Sequence, residues 1–472
     1  MWLLSAALAV CACLSASDAS PAFVPQRVRG SFAGSDHGRM TAAALEAMPE
    51  WEWSLWEPEA AALAESYCHY PDMAYPLSPD SEAKRAALPY QYIANGRQFH
   101  YWMREAWGES GNLERSFEVP TLDNATFFME GAEYFFKHIS DALRRGEMPD
   151  AARFAGTFMH AVQDPTGPIH GLEAYWGMDW RAMESLIAGE ERVGPATSAV
   201  QTLVTMAKPE SCWIPGYAPR LLGTGPAEAA FVLYQRHVES VLDSRRLILP
   251  MIDHERNGRS AEAARLRAEM ERNGARLSVD ILHTAACLAF PEKAPQEQKD
   301  ALATVQLADW YPVDSPGLLS QPYGFSPLAV GYSFSERRQR VPLRLRVSSA
   351  SALRQCTSGL GTGTHESFRI AYLIPKGVYT SFSCLIGLHA ELSTPESGAR
   401  LAVRLNGRSC ATEEFRGASS TAMVVEIDIS EGGLLELVGA HLRRRDGAPT
   451  AHNHVVWGDM LLTRAPTPAL RK

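Results

Sequence analysis

The sequence predicts an all-α domain followed by an all-β sandwich of the jelly-roll kind. From about Asp36 to Phe290, apolar residues recur every three or four positions, which is typical of amphipathic helices. A polar segment with two prolines follows, and beyond it apolar residues alternate in short runs separated by turn residues. The expected boundaries are 30–290 for the helical domain, 291–305 for a linker and 306–466 for the sandwich.

The clearest helical stripe precedes the middle of the chain. Its apolar residues step by four and three positions and so share one helix face: Phe128, Ala132, Phe135, Ile139 and Leu143. Gly146 and Pro149 then separate this helix from a second one, which carries His160. Two further segments have helical character, "AEAAFVLYQRHVESVL" and "ARLRAEMERNGARLSVDILHTAACLAF".

Four segments of the C-terminal part predict β-strands, because β-forming residues alternate in them or run together between glycine, serine and Asn-Gly turns. They are "PLRLRV", "FRIAYLIP", "RLAVRLNG" and "MVVEIDIS". Many short strands with frequent turns favour a sandwich or a jelly roll.

The first 20 residues predict a secretory signal peptide. The apolar run from Trp2 to Leu14 is too short to cross a bilayer, and small residues follow it. No later segment is long and apolar enough to be transmembrane. We therefore expect an exported protein, located outside the cell, in a periplasm or at the cell surface.

Composition excludes several classes of protein. A net charge of −9 over 472 residues argues against nucleic-acid binding by bulk electrostatics. Beyond the signal segment, six cysteines are scattered without a CxxC pair, which argues against both a disulfide scaffold and a thiolate zinc site. Three lie in each half, so each half has room for one bridge at most.

The segment "FMHAVQDPTGPIH" places three good metal ligands close together. His160 and Asp164 are four residues apart and share a helix face, and Pro165 should end the helix at Asp164. The short loop that follows can bring His170 back toward the same space. Imidazole and carboxylate without thiolate suit zinc in a catalytic site. A chain with this number of histidine and acidic residues is expected to contain this spacing by chance about 0.05 times. The alternative interpretation is that these polar residues only cap the helix end and form the turn.

The longer stretch "GAEYFFKHISDALRRGEMPDAARFAGTFMHAVQDPTGPIH" closely resembles the zinc-dependent phospholipase C family. That family shares its fold with the fungal single-strand-specific nucleases. In it, an amphipathic helix precedes a second helix with H-x3-D, and a proline-bearing turn then leads to a further histidine. The same order occurs here. The resemblance extends over the predicted helical domain and is weaker outside this stretch.

The resemblance implies a set of zinc ligands. His160 and Asp164 match the helix ligands of the first metal, Asp164 would bridge to a further ion, and His170 matches the first ligand of another metal. Three matches lie upstream: His37 just before a helix in "GSDHGRMTAAALEAM", Asp72 in "YCHYPDMAY" and His100 in "RQFHYWMRE". Asp72 would bind the first metal and orient or deprotonate the attacking water.

Two departures from the family bear on the number of metals. Family members begin with a tryptophan whose amino group binds zinc, and no tryptophan lies between the expected cleavage site and His37. In the next family motif, Glu184 is kept but Trp180 replaces a histidine, and Asp179 is a candidate substitute. The expected content is therefore one to three zinc ions.

Other histidines of the helical part receive a structural interpretation. His69 is an alternative histidine that could act together with Asp72, although in an extended segment its side chain would point away from that residue. Three lie on predicted helices at no useful ligand spacing and are expected to be structural: His138, His237 and His283.

The C-terminal part resembles an NPCBM-type module, a carbohydrate-binding β-sandwich found on secreted glycan-active enzymes. The segments that carry this resemblance are "GLGTGTHESFRIAYLIP", "ARLAVRLNGR" and "NHVVWGDMLL". His454, Trp457 and Asp459 match the closing H-x2-W-x-D, whereas two extra residues precede His365 in the family's G-L-G-T-H-A run. The resemblance implies a glycan ligand, while Trp457 is expected in the core and His365 in a turn.

Together these features predict an exported, zinc-dependent phosphodiester hydrolase of the phospholipase C type. Clustered zinc ions would hold phosphate oxygens, lower the pKa of a bound water and stabilise charge at phosphorus. One alternative is a single-strand nuclease, which the net acidity disfavours and the aromatic residues Tyr101 and Trp102 beside His100 favour. Another is a catalytically degenerate protein that binds surfaces or glycans. Zinc content separates this last class from the two enzymes.

Overall fold

A computed structural model of the chain describes most of both predicted domains. The described residues are 27–28, 36–70, 122–167, 212–313, 328–335, 337–348, 352–364, 367–444 and 446–464. Within them, every long helix precedes residue 290 and every strand follows residue 303, so the predicted order of an all-α and an all-β part is confirmed.

The N-terminal part is helical throughout its described residues. Its helices are α1 Asp36–Glu46, α2 Glu50–Trp56, α3 Ala60–Glu65, α4 Leu122–Arg145, α5 Met148–Gln163, α6 Pro226–Arg256 and α7 Ser260–Ala289, and α8 Gln296–Ala301 leads into the β part. Short 3₁₀ turns occur at Glu57–Glu59, Tyr67–His69, Asp164–Thr166 and Leu307–Asp309.

Helices α4 and α5 form a hairpin whose turn depends on one glycine. Gly146 has a φ of 73°, a conformation that costs glycine little. The amide of Gly146 donates to the carbonyl of Leu143, and that of Glu147 donates to Ala142, which is a Schellman ending. The predicted apolar stripe then meets α5, where Phe158 stacks on Phe135 at 5.1 Å between ring centroids.

Two sheets form the C-terminal sandwich. The strands are β1 Thr304–Gln306, β2 Ala329–Val330, β3 Tyr332–Phe334, β4 Arg340–Pro342, β5 Arg344–Arg346, β6 Leu353–Gln355, β7 Gly359–Gly363, β8 Phe368–Ile374, β9 Tyr379–Leu388, β10 Gly398–Leu405, β11 Arg408–Arg416, β12 Met423–Asp428, β13 Gly433–His441 and β14 His454–Arg464. One sheet has the order β12-β9-β14-β7-β2, with β1 also on β14, and the other has β11-β10-β13-β8. The remaining four strands form two separate pairs, β3 with β4 and β5 with β6. The four predicted strands all occur.

Both sheets contribute to a shared apolar core, to which β8 gives Ile370 and β14 gives Trp457. Asn406 and Gly407 connect β10 to β11 with φ values of 51° and 77°. Two positive φ values in succession are what a tight two-residue hairpin turn requires, which explains the Asn-Gly pair.

The segment predicted as a linker, 291–305, has regular structure of its own. It contains the whole of α8, and its last residues begin β1, which pairs with β14 through Thr304 and Thr463. Pro295 immediately precedes α8 and has the extended backbone common before a helix. The polarity of this segment reflects its exposure.

The helical part and the sandwich share an interface built on α6. Phe231 of α6 belongs to the sandwich core, with its ring 4.5 Å from that of Trp310 and 5.9 Å from that of Tyr379. Arg464 at the end of β14 forms an ion pair with Glu228 of α6 at 3.6 Å. The sandwich is therefore docked on the helical part through buried contacts as well as joined to it by the chain.

We predict that Phe231→Ala destabilises the sandwich by about 3–5 kcal/mol, because it empties a fully enclosed aromatic site. Urea unfolding followed by intrinsic fluorescence would measure the change. Leu249→Ala, on the same helix, is the matched control, since that side chain is 57% exposed and should shift stability by less than about 0.5 kcal/mol. Equal effects of the two substitutions would contradict the interface described above.

Candidate metal centre

Three of the predicted ligands converge at the end of α5. The ligand atoms of His37, His160 and Asp164 all lie within 4.8 Å of one another. Nε2 of His37 is 3.1 Å from Oδ1 of Asp164, and Nε2 of His160 is 3.3 Å from Oδ2. The three side chains come from two places in the sequence that are more than 100 residues apart.

The end of α5 places two of these ligands as the spacing predicts. His160 lies in the last turn and is fully buried, α5 ends at Gln163, and Asp164 begins a 3₁₀ turn that contains Pro165. The side chains of Asp164 and His37 are 11% and 15% exposed whereas that of His160 is fully buried, so the cluster lies close to the surface at Asp164 and His37. Helix α5 ends next to Asp164 as predicted, although Asp164 itself keeps a helical backbone, with φ −48° and ψ −56°, and the chain continues as the 3₁₀ turn.

A backbone carbonyl orients His160. Its Nδ1 lies 2.6 Å from the carbonyl oxygen of Cys68, in the turn Tyr67–His69. A carbonyl oxygen only accepts, so Nδ1 carries the proton and donates it, and Nε2 is the atom directed at Asp164. This turn reaches α5 because Gly156 has no side chain: a Cβ there would be 2.5 Å from Cβ of Tyr67.

His37 approaches from the other side as the second residue of α1, one position inside the helix it was predicted to precede. Its ring stacks on that of His160, with centroids 3.9 Å apart and planes 22° apart. Nδ1 is 2.9 Å from Oε1 of Gln163. Both imidazoles thus engage a neighbouring oxygen through Nδ1 and turn Nε2 toward the same carboxylate.

Buried charges hold α1 in this position. Arg39 of α1 and Arg267 of α7 both bond Oε1 of Glu271, each at 3.0 Å, and both also pair with Asp36. Burial opposes the charge on Arg39, but Glu271 and Asp36 outweigh it and raise the pKa of that guanidinium. The network fixes the residue that immediately precedes His37.

The arrangement fits a divalent cation. Two ligands of a tetrahedral zinc ion, with bonds of about 2.0–2.1 Å, are separated by about 3.3 Å, which is close to the observed separations between Nε2 and carboxylate oxygens. Two imidazoles and a carboxylate are a suitable donor set for zinc. Asp164 also offers one oxygen to each histidine, as a carboxylate shared by two ions would. The competing arrangement is an imidazolium paired directly with Asp164.

The remaining predicted site residues lie outside the described part of the chain. They are Asp72, His100, His170 and Glu184, together with Asp179, Trp180 and His365. The predicted ligand set is therefore described for His37, His160 and Asp164.

Two contacts of the centre were not anticipated from the sequence. His69 belongs to a 3₁₀ turn instead of an extended segment, and its ring lies edge-on to that of His37 with centroids 5.7 Å apart. Gln163, which bonds His37, is a buried polar residue at the end of an amphipathic helix whose buried face is mostly apolar. A polar residue on that face is the one sequence signal that could have pointed to it.

A second group with metal-binding side chains is a buried ion pair. Glu52, His283 and Cys287 also have ligand atoms within 4.8 Å of one another, but Nδ1 of His283 is only 2.6 Å from Oε1 of Glu52. That separation is a hydrogen bond and is shorter than the spacing of two zinc ligands. This short hydrogen bond favours a structural role for His283, although its spacing of four residues from Cys287 differs from the expectation that it has no ligand spacing.

The hydrogen bonds around His283 indicate that both ring nitrogens donate. The amide nitrogen of Gln298 donates to the carbonyl of Pro219, so Oε1 of Gln298 faces Nε2 of His283 at 3.3 Å. Burial alone would lower the pKa of His283, but its contacts with Cys287 and Glu52 raise that pKa to about 10. His237, in contrast, is buried against Phe128, and burial lowers its pKa to about 3, so it stays neutral.

The closing motif of the sandwich supports the fold. Trp457 is fully buried, which confirms the expectation that it belongs to the core. Asp459 accepts from the amide and the hydroxyl of Thr357 at 2.8 and 3.0 Å and pairs with Arg354 at 2.6 Å. Burial lowers the pKa of His454 to about 4.

Three cysteines of the sandwich carry free thiols. Cys356 and Cys384 are buried, and Cys410 is partly exposed. Burial raises the pKa of the Cys356 thiol to about 11 and raises that of Cys384 further above its ordinary value.

Across the described residues, none of the helices has the length and apolar character that crossing a membrane requires.

Comparisons with known proteins found structural similarities. No family model matches the chain, and no curated protein matches it. The chain is similar to the alpha toxin from Clostridium absonum, at 10% identity, over 94% of this chain and 97% of that one, with a TM-score of 0.29.

Carbohydrate-binding modules are similar to the C-terminal part of the chain. The structure of CBM51 from Clostridium perfringens GH95 in complex with methyl-galactose matches at 19% identity over 34% of this chain and 99% of that one, with a TM-score of 0.26. The structure of CBM51-2 in complex with GlcNAc and INT domains from Clostridium perfringens ZmpB matches at 17% identity over 34% of this chain and 31% of that one, with a TM-score of 0.27. TM-scores this low carry no argument about activity, which therefore has to come from the side chains.

We predict that Glu52→Gln destabilises the protein by about 3–5 kcal/mol below pH 6.5, because it leaves the buried His283 without its ionic partner. The pKa of His283 is raised from 6.5 to about 10 in the folded protein, so the pair stabilises fully below pH 6.5 and loses its effect as the pH rises through 10. The difference between variant and wild type should therefore shrink toward pH 10. Denaturant unfolding at both ends of this range measures it.

Glu50→Gln is the control for this experiment. Glu50 also lies on α2 and pairs with Arg27, but its side chain is 78% exposed, so the substitution should cost less than about 1 kcal/mol at any pH. A destabilisation by Glu52→Gln that did not change with pH would show that His283 is uncharged.

Proposed function

We propose that this chain is an exported zinc-dependent phosphodiester hydrolase of the phospholipase C type. The observation that carries the proposal is the convergence of His37, His160 and Asp164, with both histidines oriented through Nδ1 and directed at one carboxylate through Nε2. The expected signal peptide supports export. The predicted family resemblance supports the reaction class.

Each described ligand has a distinct part in this proposal. His160 and Asp164 would hold the first zinc ion, and His37 with the other oxygen of Asp164 would hold a further one. Asp72, His100, His170 and Glu184 are proposed to complete one to three sites. When bound, zinc would polarise a phosphoryl oxygen and lower the pKa of a coordinated water.

The protein itself orients the metal ligands and excludes water from one side of the centre. His160 is enclosed completely, and its bond to the Cys68 carbonyl fixes the ring, so no reorganisation of this ligand accompanies binding. The partial exposure of Asp164 leaves an approach for a substrate phosphate. Asp72 is proposed to take the proton from the attacking water.

We also propose a glycan ligand for the sandwich. The predicted resemblance of its closing His454–Trp457–Asp459 motif to carbohydrate-binding modules supports this. The buried contacts between Phe231 and the sandwich would then hold the helical part at a constant distance from a glycan-bearing surface. A glycan array that includes methyl-galactose tests the ligand, and an array without any positive spot would contradict it.

We predict that His160→Ala loses zinc and phosphodiester hydrolysis together while the fold is kept. The substitution removes one of the ligands and leaves the carboxylate of Asp164 without that partner. Elemental analysis gives zinc per chain, and hydrolysis of phosphatidylcholine vesicles and of single-stranded DNA gives activity. His254→Ala, near the end of α6 and remote in sequence from the centre, is the matched control and should change neither.

The outcomes separate the alternatives. Zinc with lipid hydrolysis supports the phospholipase, and zinc with cleavage of single-stranded DNA alone would identify the nuclease. A wild-type chain that holds no zinc even after zinc is supplied would overturn the enzyme and leave a surface-binding or glycan-binding protein.

A further inference from the structure

Gln163 on α5 links the candidate metal centre to two neighbouring helices, α1 and α7. It is the last residue of α5 and is fully buried. Its amide nitrogen lies 3.1 Å from Oγ1 of Thr41 on α1 and 2.8 Å from Oγ of Ser278 on α7, and its amide oxygen lies 2.9 Å from Nδ1 of His37. All the polar atoms of this side chain are thereby engaged.

The amide can reach both helices because they pack closely around it. Gly274 of α7 has no room for a side chain: a Cβ there would be 2.4 Å from Sδ of Met40 and 2.9 Å from Oγ1 of Thr166. The hydroxyl of Thr166 in turn donates to the carbonyl of Gln163 at 2.6 Å. The position of the amide is therefore fixed from its own backbone and from both neighbouring helices.

The direction of the hydrogen bonds fixes the orientation of the amide. The hydroxyl of Ser278 donates to the carbonyl of Gly274 at 2.8 Å, so its oxygen is left to accept from Gln163. The nitrogen of the amide must then face Ser278 and Thr41. The oxygen faces His37, and Nδ1 of His37 has to supply the proton.

This orientation decides which tautomer His37 adopts. With the proton on Nδ1, the lone pair of Nε2 points toward Asp164 and is available to a cation. The reverse amide orientation would put the proton on Nε2, where it would donate to Oδ1 of Asp164, 3.1 Å away. A cation would then have to displace that hydrogen bond before it could bind.

We infer that Gln163 is a positioning residue that holds His37 in the tautomer able to bind a divalent cation before any cation arrives. In His160 a backbone carbonyl selects the same tautomer, whereas in His37 the side chain of Gln163 selects it. The inference about the tautomer concerns the metal-free protein. Its consequence for zinc affinity rests on the function proposed above.

The test measures the tautomer and the zinc affinity separately. In protein labelled with ¹⁵N-histidine and freed of metal, long-range ¹H–¹⁵N correlation spectra identify the protonated nitrogen, and His37→Gln assigns the signal. Wild type should carry the proton on Nδ1. Gln163→Met keeps the length of the side chain but removes the acceptor, so the proton should move to Nε2.

Zinc affinity should follow the tautomer. Loss of an outer-shell partner weakens metal binding by about 10- to 100-fold, which competition with a zinc indicator can resolve for Gln163→Met. Gln163→Glu restores an acceptor for Nδ1 and should return both the tautomer and most of the affinity. Gln235→Met is the matched control, because Gln235 is also a buried amide with two hydrogen bonds, to the backbone of Tyr311. It should leave the His37 signal and the zinc affinity unchanged.

Three results would overturn the inference. They are a wild-type His37 protonated on Nε2 and not on Nδ1, a Gln163→Met variant with an unchanged tautomer, and an affinity loss for Gln163→Met that is no larger than that for Gln235→Met. If wild type bound no zinc at all, the proposed function would fail, and the tautomer measurement would still decide the role of Gln163. Should Gln163→Met not fold, the Gln163→Glu variant and the wild-type spectrum decide.

Discussion

The metal centre depends on how closely the turn Tyr67–His69 lies against helix α5. Gly156 permits this contact, because a side chain there would overlap the backbone of the turn. The contact brings the Cys68 carbonyl to His160 and the ring of His69 to that of His37. A short helix with an interior glycine would ordinarily lose stability. Here the glycine is compensated by the packing of α5, which is buried along almost its whole length.

The sequence predicted the parts of this centre that depend on local geometry. The i, i+4 spacing of His160 and Asp164, with Pro165 after them, is enough to place two ligands at a helix end. His37 is over 120 residues away, and it entered only through the resemblance to a family. The Cys68 carbonyl has no side-chain signature at all, and the role of Gln163 depends on Ser278, 115 residues further on. Contacts of this kind arise from tertiary packing, which periodicity does not encode.

The same division holds for the fold. The change in the spacing of apolar residues from a helical period of 3.6 to a strand period of 2 predicted the boundary between the helical part and the sandwich, and Asn406-Gly407 predicted a hairpin. Both signals depend only on a few consecutive residues. The docking of the two parts was not predictable, since Phe231 belongs by period to an amphipathic helix and by contact to the sandwich core. Polar residues between 291 and 305 similarly indicated exposure correctly while concealing a helix and a strand.

The burial of the sandwich thiols determines which cysteines of this chain would be oxidised over time in an oxidising environment. Thiolate is the form that reacts with oxidants and disulfides, and burial makes it scarce at Cys356 and Cys384. While the sandwich remains folded, oxidation should be confined to the partly exposed Cys410. Modification of the two buried thiols then requires the domain to open. Oxidised Cys356 or Cys384 in a stored sample would therefore show that the sandwich had unfolded at some earlier time, even if it is folded when it is measured.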